Sequence, residues 1–263
     1  MKVGIITGTG TYALPGLEMD RAEAVTTRFG ESLVAHGRLG DVEVLHVSRH
    51  GEGHRRLSNH VIHQANVLAL KELGAQCVLG VTVCGAADPS VPLGSLIVFD
   101  DLHFVVNRLA DGSICTLYDT PGDPGRGHWI YEGPFSDEAR SVLLSACEAV
   151  DVPARDGGCY GHVDGPRFNT RTEIRSLALA GVTAVSQTAG PETVLCGEAE
   201  LPYALLGYAT DYANGVKDEA TPVDELLRLI SASSGVFSRV LGAALPMLAE
   251  RAPAPPGVIY RFD

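Results

Sequence analysis

The most informative segment of the sequence is Ala204-Leu205-Leu206-Gly207-Tyr208-Ala209, which ends at Thr210-Asp211-Tyr212. A short apolar run of this kind, opened by Pro202, indicates a buried strand of a parallel sheet. Asp211 would then lie at the carboxyl end of the strand, where open α/β sheets bind their ligands. Partial burial there raises the pKa of a carboxyl enough for it to hold or share a proton. The alternative is an aspartate that caps a helix or forms a turn.

Strand-like and helix-like segments alternate along the rest of the chain, which is typical of a wound α/β sheet. We therefore predict an α/β fold with one domain over residues 1–250 and an extended, loosely held Pro-rich tail over 251–263. The loop 107–133 is long for a compact domain, so it is either mobile or functional. The predicted strands are 3–7, a hairpin over 32–48 broken at 39–41, 77–83, 96–99, 159–163, 182–187 and 202–211. The predicted helices are 60–73, 137–150, one capped by Thr170 with Glu173, 191–200, and one from Thr221 as N-cap to about 249.

The charge balance is acidic, with 32 Asp and Glu against 20 Lys and Arg and a formal net charge of −12. Without a Lys- or Arg-rich run, this argues against binding to nucleic acid or to an anionic membrane, but not against a small anion. The first apolar segment is too short for a signal peptide, and we expect no later run to span a membrane. The six cysteines show no CxxC or Cys/His metal spacing, which favours reduced thiols in a cytoplasmic protein and no metal site.

Four predicted strands end in small or polar residues that could bind an anion. Gly8-Thr9-Gly10-Thr11 either offers backbone N–H groups and the Thr9 hydroxyl to an anion or forms only a tight turn. Arg49-His50-Gly51-Glu52-Gly53-His54 either offers a guanidinium fork and an imidazole or is a solvated loop.

The other two strand ends also have two interpretations. Thr82-Val83-Cys84-Gly85-Ala86 either completes an anion site or simply ends a core strand. In 186–192, Thr188 could donate to an oxyanion, and Glu192 either accepts from sugar hydroxyls or caps the next helix. None of these short motifs is decisive by itself.

Taken together, the motifs follow one order and one spacing from about residue 3 to residue 248, and this ordered set is specific. In it the chain resembles the trimeric purine nucleoside phosphorylase family, and in particular its 5′-methylthioadenosine phosphorylase branch. The motifs that carry the resemblance are Gly4-Ile5-Ile6-x-Gly8-Thr9-Gly10, Arg49-His50-Gly51-x-x-His54, Ala65-Asn66-x-x-Ala69-Leu70, Gly165-Pro166-Arg167-Phe168, Pro191-Glu192 and Ala209-Thr210-Asp211-Tyr212.

The resemblance implies a fold, a reaction and an assembly. The fold would be a single phosphorylase-type domain with a central mixed β-sheet, a distorted barrel, flanked by helices. In the reaction, phosphate displaces a purine from C1′ of a nucleoside and gives the free base and a pentose 1-phosphate. Inorganic phosphate is then a co-substrate, and no metal or organic cofactor is required. The assembly would be a homotrimer, or a hexamer made of two trimers.

The resemblance also implies roles for residues. Phosphate must be desolvated and aimed at C1′, so the site requires fixed donors; by similarity these are Thr9, Arg49, His50, Thr82, Val83 and Thr188. A carboxyl that shares a proton with purine N7 improves the leaving group, and by similarity this catalytic carboxyl is Asp211. The base would contact Cys84, Gly85, Phe168, Asp211 and Ala213, and the ribose Gln187 and Thr188. The 5′ end would contact His54, Val223, Leu226 and Leu227, with His128 supplied by a neighbouring subunit. The three apolar residues among these could equally form one core-facing side of a helix.

The residue type at position 211 bears on the choice of base. A carboxyl can accept from the N6 amino group of an adenine-type base and share a proton with N7, whereas a 6-oxopurine favours an amide that donates to O6 and N7. Asp211 therefore favours a 6-aminopurine such as 5′-methylthioadenosine or a related 5′-deoxy nucleoside.

Two departures from the branch keep other substrates open. A second aspartate that helps to hold N6 is replaced by Ala213, which leaves 6-oxopurine nucleosides as an alternative. The methionine that usually lies under the ribose is replaced by Gln187, which could bond a ribose hydroxyl or accommodate a sugar altered at the 2′ or 3′ position. A hydrolase and a nucleoside-binding protein without catalysis are further alternatives, against which the phosphate residues and Asp211 argue.

Overall fold

The structure, a computed structural model, describes residues 1–11, 14 and 18–262. Its strands are β1 (Lys2–Thr7), β2 (Glu18–Thr27), β3 (Gly30–Leu39), β4 (Val42–Ser48), β5 (Cys77–Ala86), β6 (Leu96–Val98), β7 (Asp101–His103), β8 (Gly127–Ile130), β9 (Ala154–Asp156), β10 (Cys159–His162), β11 (Val182–Ser186), β12 (Tyr203–Tyr212) and β13 (Val258–Arg261). Its α-helices are α1 (His63–Glu72), α2 (Asp137–Ala149), α3 (Arg171–Leu179), α4 (Ala189–Glu198) and α5 (Val223–Ala249).

The apolar run 204–209 forms most of β12, as predicted, and it is buried on both faces. Leu205 and Ala209 pack into one core cluster, while Leu206 and Tyr208 pack into the other on the opposite face of the sheet. β12 pairs in parallel with β5 but antiparallel with β6. The expectation of a parallel sheet from the apolar run holds on the β5 side only, and the strand lies in a mixed sheet as the resemblance implied. The short β6 reaches this edge from a turn, which permits the antiparallel pairing.

The central sheet is mixed and forks at β5. The order β2-β3-β4-β1-β5-β11-β10-β7 forms one path, and β12 pairs with the other edge of β5 and leads to β6 and β9. The first half of β5 pairs with β1, and only its last residues, Gly85 and Ala86, pair with β11. The divergence of β1 from β11 along β5 leaves a gap in the sheet, and strand ends that carry polar residues surround it.

Helices cover both faces of the sheet, which confirms the predicted mixed α/β architecture. α1 and α4 contribute to one core cluster, and α2 and α5 to the other. The predicted capping box is present at α3, where Thr170 accepts from the backbone N–H of Glu173 and the Glu173 side chain accepts in return.

The start of α5 differs from the prediction by one residue. Pro222 is the N-cap, and Thr221 Oγ1 instead accepts from the backbone N–H of Tyr212 at 3.0 Å, which ties the helix entry to the end of β12. α5 is long and apolar enough to cross a membrane by length and composition, so the expectation that no run reaches this threshold is wrong. Core helices pass the same test, and the inner face of α5 packs through Phe237 and Leu241 into the core.

The Pro-rich tail is extended but not loosely held. Its last strand, β13, pairs antiparallel with β8, and Trp129 Nε1 donates to the Pro256 carbonyl at 2.8 Å. The loop 107–133 contains β8 and is anchored at Leu117, whose backbone N–H donates to Glu198. The strands β2, β7 and β9 were not predicted from the sequence.

Candidate active site

A cavity of about 310 Å³ opens at the fork in the sheet. The carboxyl ends of β1, β4, β5, β11 and β12 all contribute to it. The predicted site residues that line it are Thr9, Arg49, His50, His54, Thr82, Val83, Cys84, Gly85, Phe168, Gln187, Thr188, Asp211, Ala213 and Leu226. Residues that are far apart in sequence thus meet around one cavity, because strand ends converge there.

Arg49 is a buried cation whose hydrogen bonds are made within the protein. Its Nε and Nη2 donate to the two carboxylate oxygens of Glu192 at 2.6 and 2.8 Å, and Nη1 donates to the Val81 carbonyl at 2.8 Å. Both side chains are 1% exposed, and Glu192 also accepts from the Tyr203 hydroxyl at 3.1 Å. Burial alone would lower the pKa of Arg49, but the charge and hydrogen bonds of Glu192 raise it above its usual value. The guanidinium is therefore charged and fixed.

The glycine turn after β1 lies directly against this cation. A Cβ on Gly8 would lie 2.3 Å from Arg49 Nη1, so only glycine leaves room for the guanidinium. The positive charge consequently lies beside the turn that carries Thr9, at one end of the cavity. Both predicted roles of the Glu192 side chain, as a cap and as an acceptor for sugar hydroxyls, are wrong, because its oxygens are buried on Arg49 and Tyr203.

His50 is a neutral acceptor next to the same cation. Its Nδ1 must donate to the Arg56 carbonyl at 2.8 Å, since a carbonyl only accepts. Burial and the charge of Arg49 lower the pKa of His50 to about 4, against the hydrogen bond to Arg56. At neutral pH its Nε2 is therefore unprotonated. His54 stacks on His50 with ring centroids 4.1 Å apart, which holds the imidazole plane.

Other titratable groups near the sheet centre are also shifted by burial. Burial lowers the pKa of His46 to about 4 and that of His162 to about 3, and that of His63 falls well below its usual value. Together with His50, these three are called the buried histidines below. Partial burial raises the pKa of Asp211 and that of Glu198, and these two are called the partly buried carboxyls.

Asp211 lies in β12 rather than at a helix cap. It lines the same cavity as Arg49, but it lies beside Gly85 of β5, whereas Arg49 donates to Val81 of that strand. The register of β12 against β5 shifts between Ala209 and Asp211, and such a bulge changes the direction of the next side chain. Thr210 Oγ1 donates to Asp211 Oδ1 at 2.9 Å, which opposes the rise of its pKa through burial. A Cβ on Gly85 would lie 3.2 Å from Oδ2, so this glycine keeps the space next to the carboxyl open.

The other predicted residues of the base end surround Asp211. Cys84 and Ala213 are buried, whereas Phe168 is 63% exposed at the cavity mouth. The missing second carboxylate is replaced by apolar packing, since Ala213 joins a small cluster with Ile174 and Val185. Asn214 was not singled out from the sequence, but it lines the cavity and its Nδ2 donates to the Asn169 carbonyl at 2.7 Å.

Gln187 precedes Thr188 in the chain, lines the same cavity and is held by two partners. Ser58 Oγ donates to its Oε1 at 2.9 Å, and its Nε2 donates to the Arg167 carbonyl at 3.1 Å. Ser58 was not predicted from the sequence either. It lies in the turn Ser58–His60, and its partner is 129 residues away in the sequence, so no local pattern indicates the contact.

Three residues predicted for the 5′ end do not line the cavity of the single chain. Val223 and Leu227 are 69% and 60% exposed on the first turns of α5. The residues of α5 that line the cavity are Leu226 and Ile230. His128 lies on β8, where its ring packs edge-on against Phe262 at 5.2 Å. Among the residues that the structure describes, no group of three or more His, Cys, Asp or Glu side chains could hold a metal ion.

The chain belongs to the phosphorylase superfamily, whose family model matches residues 2–246. This confirms the predicted fold class and the predicted enzyme class.

Relatives represent both predicted substrate classes. The chain is 31% identical to the 6-oxopurine nucleoside phosphorylase of Pyrococcus furiosus, over 94% of this chain and 93% of the relative. It is 30% identical to the S-methyl-5′-thioadenosine phosphorylase of Danio rerio, over 95% and 90% of the two chains. Its fold matches the methylthioadenosine phosphorylase of Schistosoma mansoni in complex with adenine with a TM-score of 0.86, at 27% identity and over 95% and 92% of the two chains.

Proposed function

We propose that this protein phosphorolyses purine nucleosides, and that its preferred substrates are 6-aminopurine nucleosides of the 5′-methylthioadenosine type. The observation that carries the proposal is the polarity of the cavity. The Arg49 cation contacts β5 at Val81, and the partly buried Asp211 carboxyl lies beside Gly85, four positions further along the same strand. Thr9, His50 and Thr188 line the same cavity, and we place them at the Arg49 end. A phosphate and a purine fit these two ends, with the pentose between them.

The reaction proposed for this arrangement breaks the bond from C1′ to purine N9, and the electron pair leaves with the base. An oxygen of phosphate forms the new bond to C1′, so the products are the free base and a pentose 1-phosphate. The raised pKa of Asp211 lets its carboxyl share a proton with N7 as negative charge develops on the base. The fixed charge of Arg49 favours the anionic nucleophile at the other end. Each group thus serves one partner of the exchange.

Counting donors favours an adenine-type base. Protonated Asp211 offers one donor and one acceptor, and an adenine edge offers the N7 acceptor and the N6 donor. A 6-oxopurine edge offers two acceptors, O6 and N7, so Asp211 alone leaves one of them unpaired. Sites that pair a specific polar edge discriminate strongly against a base that does not fit it.

The second candidate, a 6-oxopurine nucleoside, is supported by Asn214. Only one N–H of its Nδ2 is used, toward the Asn169 carbonyl, so the other could supply the missing donor to O6. Ala213 adds no carboxylate that would repel O6.

The assembly and location are also part of the proposal. A homotrimer, or a hexamer of two trimers, would bring His128 of a neighbouring subunit to the 5′ end, where Leu226 already lines the cavity. The six cysteines are all unpaired, which is consistent with a reducing cytoplasm.

The test is a nucleoside panel with and without phosphate. The protein is incubated with 5′-methylthioadenosine, adenosine, 5′-methylthioinosine, inosine and guanosine, and free base and pentose 1-phosphate are quantified. We expect phosphate-dependent release of adenine, fastest from 5′-methylthioadenosine. Base release without phosphate would indicate a hydrolase, and faster release of hypoxanthine would favour the second candidate. No turnover of any purine nucleoside would refute the proposal.

A further inference from the structure

The side-chain amide of Gln187 is fixed in one orientation. Ser58 Oγ donates to Oε1 at 2.9 Å, and Nε2 donates to the Arg167 carbonyl at 3.1 Å, so the positions of the amide oxygen and nitrogen are set by their partners. A Cβ on Gly165 would lie 1.9 Å from Gln187 Oε1 and 2.2 Å from Ser58 Oγ. The absence of a side chain at Gly165 therefore leaves the space in which this hydrogen bond forms.

The fixed amide retains one donor and one acceptor. Oε1 uses one lone pair for Ser58, and Nε2 uses one N–H for Arg167, which leaves a lone pair and an N–H on the two atoms that are bonded to Cδ. Two neighbouring hydroxyls of a sugar match this pair, since one can donate to Oε1 while the other accepts from Nε2. A methionine at this position would offer neither group.

The location of Gln187 determines which hydroxyls it can meet. This step rests on the proposed function, in which phosphate attacks C1′ from the end marked by Thr188. Reacting atoms must approach to roughly 3–3.5 Å, so the pentose lies next to the phosphate, and we place its 2′ and 3′ hydroxyls at the residue that precedes Thr188 in the chain. That residue is Gln187, and it lines the same cavity.

We propose that Gln187 is a specificity residue that reads the 2′,3′-diol, and that it makes the enzyme selective for ribonucleosides over 2′-deoxyribonucleosides. A 2′-deoxy substrate leaves either the N–H or the lone pair of the fixed amide without a partner. Because Ser58 and Arg167 hold the amide, it cannot rotate away to recover this hydrogen bond.

The experiment compares kcat/KM for adenosine with kcat/KM for 2′-deoxyadenosine in the presence of phosphate. The variants are Gln187→Met, which removes both amide groups, and Ser58→Ala, which releases one end of the amide. We expect Gln187→Met to lower the ribo-to-deoxy ratio by roughly 5- to 10-fold, the usual effect of one hydrogen bond, and Ser58→Ala to lower it by less. Asn59→Ala is the matched control, because Asn59 is an exposed neighbour of Ser58 outside the cavity, and its ratio should not change.

The possible outcomes separate this inference from the proposed function. If the wild type turns over purine nucleosides and Gln187→Met keeps the wild-type ratio, the inference is overturned and the proposed function stands. A wild type that prefers 2′-deoxyadenosine overturns the inference in the same way. If the wild type releases no base from any purine nucleoside, the proposed function fails and the inference fails with it.

Discussion

Replacement of Glu192 by glutamine tests how the protein holds a charged arginine in its core. Gln has nearly the shape of Glu but no charge, so Glu192→Gln leaves the Arg49 cation buried without compensation. Three hydrogen bonds end on this carboxylate, two from Arg49 at 2.6 and 2.8 Å and one from Tyr203 at 3.1 Å. Removing one partner of a buried ion pair costs about 3–5 kcal/mol. At roughly 2 °C per kcal/mol for a chain of this size, the Tm should fall by roughly 6–10 °C.

The matched control is Glu225→Gln. Glu225 makes the same two-pronged pair with Arg228, at 2.7 and 2.6 Å, but on the surface of α5. Solvent screens that pair, so the substitution should leave stability unchanged within error. Both variants are measured by urea unfolding and by thermal denaturation at pH 7.5.

A second variant keeps the test decisive if Glu192→Gln does not yield folded protein. Tyr203→Phe removes only the third hydrogen bond to the carboxylate and should cost about 1 kcal/mol. The reasoning is refuted if Glu192→Gln is no less stable than Glu225→Gln. Where Glu192→Gln folds, we also expect a raised KM for phosphate, since Arg49 would no longer be fixed beside the phosphate end.

The other predictions concern a glycine, the carboxyl and the response to pH. Gly8→Ala should destabilise the protein by about 1–3 kcal/mol, because the new Cβ would lie 2.3 Å from Nη1 of the fixed Arg49. Gly235→Ala in α5 should stabilise it by roughly 0.5–1 kcal/mol, because no atom of the described residues lies within 4 Å of the new Cβ. Equal urea midpoints for the two variants would contradict this. Asp211→Asn should lower kcat/KM for adenine nucleosides by roughly 10²-fold or more. The loss for inosine should be smaller, because an amide donates to O6. Base release measures both values, and an equal loss of kcat/KM for the two substrates would count against the proposed role of Asp211. Acidification from pH 7.5 to 5 should lower the urea midpoint. The buried histidines stay neutral in the folded state to about pH 4 or below, whereas the same histidines bind protons below about pH 6.5 in the unfolded state, so acid favours unfolding. The two partly buried carboxyls act in the opposite direction but are fewer. A midpoint that is unchanged or higher at pH 5 would therefore show that the histidines are charged in the folded protein.

Most of the fold could be predicted because its strands and helices carry strong local patterns. β12 is a continuous apolar run, since both of its faces are buried, and α3 begins with a capping box. β2 lacked such a pattern: it is an edge strand of the sequence Glu-Met-Asp-Arg-Ala-Glu-Ala-Val-Thr-Thr, which alternates too weakly to indicate a strand. β13 was missed because its pairing with β8 joins segments about 130 residues apart, which no local pattern reports.

The candidate site divides in the same way. Residues at strand ends, such as His50, Thr188 and Asp211, could be selected because small and polar residues follow apolar runs there. The ion pair of Glu192 with Arg49 could not be foreseen, since 143 residues separate them in sequence and either could have faced solvent. The hydrogen bond from Ser58 to Gln187 depends equally on the three-dimensional fold.

The orientation of the His50 ring has a consequence for the choice between oxyanions. With Nδ1 committed to the Arg56 carbonyl and no charge on the ring, Nε2 presents only a lone pair. An oxyanion that keeps a proton at neutral pH, as phosphate and arsenate do, can donate that proton to Nε2. Sulfate has the same size and shape but carries no proton, so its oxygen would face the lone pair and be repelled. On the proposed function, the protein would therefore reject sulfate for its lack of a single hydrogen atom, although sulfate otherwise resembles phosphate.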